Sequence, residues 1–353
     1  MRNPSGNFVH VKAGYVGMLR IICCFSLLII MAGPAFLSAR EKPGTEHVLA
    51  GLSMGTYYRV ILADVTSSQA EDARKEILAV LERINQSMSV FDPQSEVSRF
   101  NRIMPGEKLC VSSDLVRTLQ VSFRANELTR GAFDPTLGAI IDLWGFGPDI
   151  NIREIPERPE IEAALKGLGL DKIFLDEKGC LSKSHPRTKL NLSGVAKGYG
   201  VDAVAGVLRQ MGIFSFLVDI GGDIYVGTKK PDGSLWRVGI SAPHPGAGGD
   251  DLILFVELEE RAVASSGNYR NHFVRDGHMY GHIIVPSTGR PVRSRIVSAT
   301  VAARTCVMAD ALATAAMVMK PDKALALVEE PDIFEVILME VDDEGELSVR
   351  GSR

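Results

Sequence analysis

Three groups of residues in this sequence have types and spacings that suit chemistry. The first is NLSGVAKGYGVD (191–202), where Lys197 stands among Gly194, Gly198 and Gly200, between an apolar–polar alternation and an amphipathic run. Bare backbone N–H groups at the start of a helix attract anions and an ammonium adds a full charge, so the stretch suits a phosphate. It lacks the spacing of a Walker loop, and it equally fits a tight strand-to-helix turn with a solvated lysine. The second is MADALATAAMVM (308–319), an apolar helical run in which Asp310 and Thr314 stand four apart on one face. A carboxylate and a hydroxyl so placed can converge on one hard cation. The same pair can also serve the helix alone, Asp310 as a cap and Thr314 bonding back to the preceding turn. The third is His282 in GHIIVPSTGRP (281–291), able to move a proton near neutral pH or to act as a structural hydrogen-bonder on a strand.

The elements that must position these residues follow from periodicity. TYYRVILADV (56–65) alternates like a strand, and residues 68–91 carry Ile77, Val80, Leu81 and Ile84 at helical spacing. Further helices are predicted over 114–129, 161–167, 196–211 and 308–319. Strands are predicted over 214–228, 235–243, 252–267, 297–303 and 334–340, with another run over 272–286 that turns at Asp276-Gly277. Helices and antiparallel-type hairpins segregate along the chain, which predicts an α+β fold with mixed or antiparallel sheets and packed helices.

Composition sets the class. With 353 residues, 46% hydrophobic and 23% charged, the chain can bury a large core in one large domain or two intergrown ones. Residues 1–39 stand apart: Arg2, Lys12 and Arg20 precede an apolar run from Ile21 to Leu37 that ends in Ser38-Ala39. That order is the order of an export signal, or of an N-terminal anchor if it is not cleaved, leaving 40–353 as the functional domain. Without those residues the formal charge moves from −4 to −7, and nothing invites nucleic acid. Cys110, Cys180 and Cys306 remain, an odd set without a Cys-x-x-Cys pair, which argues against a disulfide scaffold or a zinc site; Cys110 can still pair with Cys180.

Eight motifs in order carry a resemblance. LSMGTYYRV (52–60), MSVFDPQSEVSRFN (88–101), GAFDPTLGAIIDLWGFG (131–147), NLSGVAKGYGVD (191–202), VDIGGDIYVG (218–227), AVASSGNY (262–269), GHIIVPSTGRP (281–291) and MADALATAAMVM (308–319) resemble the FAD:protein FMN transferases, the ApbE-like flavin transferases. The resemblance covers roughly residues 50–320 and implies an ApbE-like, T-fold-related architecture. It further implies that FAD and Mg2+ are bound. The FMN half then passes through a phosphodiester to a Thr or Ser hydroxyl of an exported or membrane-bound target protein, and AMP is released. Localisation would be periplasmic, or at the periplasmic face of the inner membrane.

Carried onto this chain, the resemblance makes Gly194, Asp310 and Thr314 the metal ligands. It places Lys197 near the phosphates and His282 at proton transfer or phosphate contact, with Asp310 completing the catalytic set. It lines the FAD pocket with Met54, Gly55, Thr56, Phe91, Ser95, Glu96, Asp134, Thr136, Ser265 and Gly267, Phe91 offering an aromatic face to the flavin ring. Gly221, Gly222 and Asp223 fit a hairpin bend as well as a ligand contact. Three positions depart from the family pattern: Asn191, Asn268 and Val285 stand where relatives carry carboxylates. Two other readings use the same residues, an FAD pyrophosphatase yielding FMN and AMP, and an exported FAD-binding protein without turnover.

Overall fold

The computed structural model of the chain describes residues 46–148, 153–244, 251–268 and 271–352, so the basic and apolar N-terminal segment lies outside the described residues. A hairpin opens it, β1 (Glu46–Ser53) and β2 (Thr56–Ala63), closed by Met54 and Gly55, both at positive φ. Helix α1 (Ser67–Met88) starts at a capping box made by Thr66 and Gln69, and it buries Ile77, Val80, Leu81 and Ile84, the positions picked out by helical spacing. Next come α2 (Glu96–Arg102), β3 (Leu109–Cys110), α3 (Ser113–Leu128), α4 (Gly138–Leu143) and α5 (Arg158–Leu165). Strands β4 (Ile173–Leu175) and β5 (Cys180–Lys183) join β3 in a small sheet in which Cys110 faces Cys180, and the two are disulfide-bonded.

Helix α6 (Ala196–Gln210) leads into β6 (Phe216–Ile220), β7 (Asp223–Val226), β8 (Trp236–Ser241), β9 (Leu252–Leu258) and β10 (Arg261–Gly267). The pair β11 (His272–Arg275) and β12 (His278–Gly281) forms a hairpin through Asp276 and Gly277, both at positive φ as their types favour. After β13 (Ile284–Val285), β14 (Arg290–Pro291) and β15 (Ile296–Ala303) come α7 (Cys306–Ala316), α8 (Pro321–Leu325), β16 (Ile333–Val341) and β17 (Leu347–Gly351). Two sequence expectations are corrected: 214–228 is not one strand but two, β6 and β7, turned at Gly221 and Gly222, both at positive φ, and 252–267 is two strands in different sheets, because the chain turns at Glu260, which sits at φ 48°.

Eight strands form one antiparallel sheet in the order β1-β2-β6-β7-β10-β15-β16-β17. Period-two alternation gives it two apolar faces. Val60, Leu62, Phe216, Val218, Ile220, Ala262 and Ala264 pack on the layer of α1, α3, α6 and α7. Their neighbours Ala63, Val226 and Val263 pack on the β8–β9 hairpin, with Trp236, Val238 and Ile240. A third cluster, Leu137, Ile140, Trp144, Ile161, Tyr280 and Ile284, ties α4 and α5 to the β11–β12 hairpin. Trp144 and Tyr280 stack there at 5.7 Å, and Trp144 donates its indole N–H to the Gly289 carbonyl, so the segment that carries His282 rests on a rigid base. The fold is α+β. Among the described residues no helix is long and apolar enough to cross a membrane.

Candidate active site

Two helices cross where the chemistry-bearing residues gather. Lys197 and Gly198 lie in the first turn of α6, so the lysine belongs to a helix rather than to a turn. A side chain at 198 is impossible without movement: a Cβ there would stand 2.4 Å from the Cys306 carbonyl oxygen, at the head of α7. That close approach brings α7 against α6, and the Gly198 N–H donates to Asp310 Oδ2 at 3.1 Å. Gly200 admits Met54, whose Sδ would be 2.9 Å from a Cβ, and Gly194 admits Thr314, whose Oγ1 would be 3.0 Å away. Each of the three glycines therefore answers to a different close packing contact.

Lys197 sits between two carboxylates. Its Nζ is 2.5 Å from Asp223 Oδ2 and 3.3 Å from Asp310 Oδ2. The two aspartate side chains are 1% and 3% exposed while that of Lys197 is 29% exposed, so the cluster opens on the lysine side. One ammonium cannot neutralise two buried carboxylates. Burial first, and then the neighbouring Asp310, push the Asp223 carboxyl above its ordinary value against the pull of Lys197. For Lys197 burial works against the charge, but Asp223 and Asp310 outweigh it and raise the group above its ordinary value. The cluster thus has room for positive charge.

The surrounding donors are hard oxygens. Thr314, one turn beyond Asp310, has its Oγ1 3.1 Å from Ser266 Oγ on β10, with the Gly194 backbone alongside. Carboxylate, hydroxyl and backbone oxygen suit a hard divalent cation that keeps water and takes further oxygens from a substrate. Among the described residues no three His, Cys, Asp or Glu side chains converge, so an all-protein cage of the zinc kind is absent there. The expected set of Gly194, Asp310 and Thr314 is therefore brought together. The readings of Asp310 as a cap of its own helix and of Thr314 as merely back-bonded find no support, since Asp310 engages α6 and Thr314 meets β10.

His282 follows β12. Its backbone N–H and its Nδ1 both reach the Asn271 carbonyl, each at 3.1 Å. A carbonyl only accepts, so Nδ1 carries the proton and Nε2 of the neutral ring holds a free electron pair. Burial lowers the histidine's pKa, and the Lys197 charge lowers it further against the Asn271 carbonyl, which favours the neutral ring. A neutral imidazole with Nε2 unprotonated is a base.

Other expected residues divide. The Met54-Gly55-Thr56 turn lies beside this site, Met54 against Gly200 and Thr56 against Gly221. Adjacent strand residues face opposite sides: Ser265 bonds Thr300 across the sheet while Ser266 points at Thr314. Gly267 ends β10 opposite Ser298. Asp134 takes the amide and hydroxyl of Thr136 in an Asx turn, and Thr136 Oγ1 accepts from the Gly169 N–H, so both groups brace their own loop. That loop in turn accepts the Asn191 N–H at Pro135, which fixes the approach to Gly194. Ser95 caps α2, and both Glu96 oxygens are taken by Ser87 and Ser112. Phe91 is 60% exposed, open for stacking. Asn191 Oδ1 accepts from the Ser193 N–H.

The sequence left Asp223 open between a hairpin bend and a ligand contact, and the structure sets it against Lys197. Gly221 and Gly222, both at positive φ, make the tight β6–β7 turn that delivers it inward. The available signal was an acid at an inward position of an alternating strand, in register with Tyr225.

Fold and site together define an α+β protein with an anion-ready lysine between two buried carboxylates, at a helix crossing over an antiparallel sheet. The model of the ApbE family matches residues 54–338. An FAD:protein FMN transferase of Vibrio cholerae is 37% identical over 317 residues, covering 90% of this chain and 94% of that protein. The FAD:protein FMN transferase of Escherichia coli K12 is 30% identical, covering 86% and 89%. Among solved structures, the flavin transferase ApbE from Vibrio cholerae superposes with a TM-score of 0.79 at 35% identity, over 88% of this chain and 98% of that one. The apo flavinyl transferase ApbE of Pseudomonas stutzeri gives 0.78 at 31% identity, over 89% and 96%. The chain belongs to the ApbE family.

Proposed function

We propose that this protein is an exported FAD:protein FMN transferase that moves the FMN half of FAD, with magnesium, to a Thr or Ser hydroxyl of a target protein and releases AMP. The observation that carries the reading is the Asp223–Lys197–Asp310 cluster, open on its lysine side and flanked by Thr314 and the Gly194 backbone. The acceptor oxygen attacks the flavin-side phosphorus, the bond from that phosphorus to the bridging oxygen breaks, and AMP leaves with that oxygen. The hydroxyl proton passes to Nε2 of His282. Lys197 faces the pyrophosphate and neutralises part of its charge. Asp310, Thr314 and the Gly194 carbonyl would hold the magnesium ion, which supplies the rest of that neutralisation. Export is supported by the basic-then-apolar N-terminal segment and by the Cys110–Cys180 disulfide, a bond that persists in oxidising compartments.

The test is Asp310→Asn, which removes a charge with little change of volume. Turnover should fall by at least about a hundredfold, the scale of losing one electrostatic element of such a site, while FAD binding in EDTA survives. Turnover is read as protein-bound flavin fluorescence in a denaturing gel alongside free FMN and AMP, which separates transfer from hydrolysis. Wild-type turnover by Asp310→Asn at saturating Mg2+ would overturn the metal assignment.

A further inference from the structure

One buried carboxylate beside the cluster takes no part in the chemistry just described. Asp202 lies on α6 one turn beyond Gly198, on the face that meets α7. Its Oδ1 accepts the Cys306 N–H and its Oδ2 the Val307 N–H, both at 2.9 Å. These are the first two amides of α7, groups that a helix cannot satisfy internally. Thr305, the residue in the N-cap position of α7, makes no side-chain cap bond. The cap of α7 is thus supplied by a different helix.

We propose that Asp202 is a positioning residue for flavin transfer, clamping the head of α7 to α6 so that Asp310 and Thr314 fall opposite Lys197 and Gly194. Asp310 stands one turn beyond the clamped amides and Thr314 one turn further, so a rotation or slide of α7 at its first turn carries both with it. Gly198 and Asp202 divide the task. The missing Cβ at 198 lets the Cys306 carbonyl approach, and the carboxylate at 202 holds the two amides next to that carbonyl. Local helix stability does not by itself call for an aspartate here. An asparagine caps about as well, without a buried charge, but where the aspartate sets a separate oxygen before each amide it sets one oxygen and one NH2 donor, which cannot accept the second N–H. Two simultaneous bonds fix the helix in rotation as well as in position, where a single bond leaves a pivot.

The inference rests on the reading of Asp310 as a metal-bearing residue, and the experiment separates the two. FAD is titrated calorimetrically into wild type, Asp202→Asn, Asp310→Asn and the double variant, in EDTA and in excess Mg2+, and AMP release from FAD is followed for each. Wild type should bind FAD more tightly with Mg2+, and Asp310→Asn should lose that difference. Asp202→Asn should melt within a few degrees of wild type in EDTA, yet lose about tenfold of the Mg2+ effect and of the rate, with no further loss in the Asp310→Asn background, the signature of residues acting through one another. A wild-type Mg2+ effect and rate in Asp202→Asn, or an equal loss in both backgrounds, overturns the inference and leaves the metal reading standing. An Asp310→Asn protein that keeps the Mg2+ effect, or a wild type that shows none, overturns both. If Asp202→Asn does not fold, Asp202→Ser, which keeps one cap acceptor, replaces it; failure of both to fold shows that Asp202 serves the fold and refutes the positioning role.

Discussion

At the scale of the residue, the decisive quantity is a charge imbalance. Asp223 and Asp310 are buried with one ammonium between them, and the Asp223 carboxyl is raised because burial and Asp310 together outweigh Lys197. Taking the lysine away should expose that imbalance. Lys197→Met leaves two facing buried carboxylates, and breaking a buried ion pair in this way costs about 3–5 kcal/mol. The expected outcome is a strongly lowered melting temperature in EDTA that Mg2+ restores in part, with a larger Mg2+-induced rise than in wild type. An equal rise in the two proteins would show that the carboxylates do not face a cation site. Transfer should stay low even with Mg2+ present, since the charge aimed at the pyrophosphate is gone.

At the scale of the element, the site depends on how closely α6 and α7 approach. Gly198 has no room for a methyl group because the obstacle is the backbone carbonyl of Cys306, whereas Gly206 on the same helix has nothing within 4 Å of a Cβ. The pair makes an internal control. Gly206→Ala should stabilise by up to about 1 kcal/mol through helix propensity. Gly198→Ala gains the same propensity but must push the helices apart, at an overpacking cost of about 1–3 kcal/mol. It should also weaken Mg2+-dependent turnover, since the Gly198 N–H bond to Asp310 lengthens with the gap. Denaturant midpoints for the two variants check the sign of each change, and a stabilised, fully active Gly198→Ala protein would refute the tight crossing.

At the scale of the whole molecule, three layers and a stapled annex hold the site. The sheet is covered by helices on one face and by the β8–β9 hairpin on the other, and the helix face carries the site. The Cys110–Cys180 bond closes a loop spanning 70 residues that includes α3, α4 and α5. In the chain-entropy account, closing a loop of that length limits the unfolded state by about 4 kcal/mol. Cys110→Ser with Cys180→Ser should lower stability by an amount of that order in urea unfolding, and reducing agent should do the same to wild type. A double variant as stable as the oxidised protein would mean that the small β3-β5-β4 sheet needs no covalent tie. Since neither cysteine touches the Lys197 cluster, turnover of the folded double variant should stay near that of wild type.

What the sequence determined by itself is short-range. Helical spacing marked α1, α6 and α7 because a 3.6-residue period is a local property, and the same period put Asp310 and Thr314 on one face before any neighbour was known. The Asp276-Gly277 turn was legible for the same reason, since residue type limits φ locally. Ordered motifs, read as a resemblance, named Lys197, Gly194 and His282. Tertiary structure decided everything that depends on two distant segments meeting. Asp223 joined Lys197 across 26 residues and a hairpin, and Asp202 met the head of α7 across 104. Ser266 rather than Ser265 faced Thr314, because strand register, a long-range pairing, chooses which of two neighbours points inward. The glycines of the 191–202 stretch looked like room for a phosphate. Their need for bareness came from the Cys306 carbonyl, Met54 and Thr314, partners that only the packed molecule supplies.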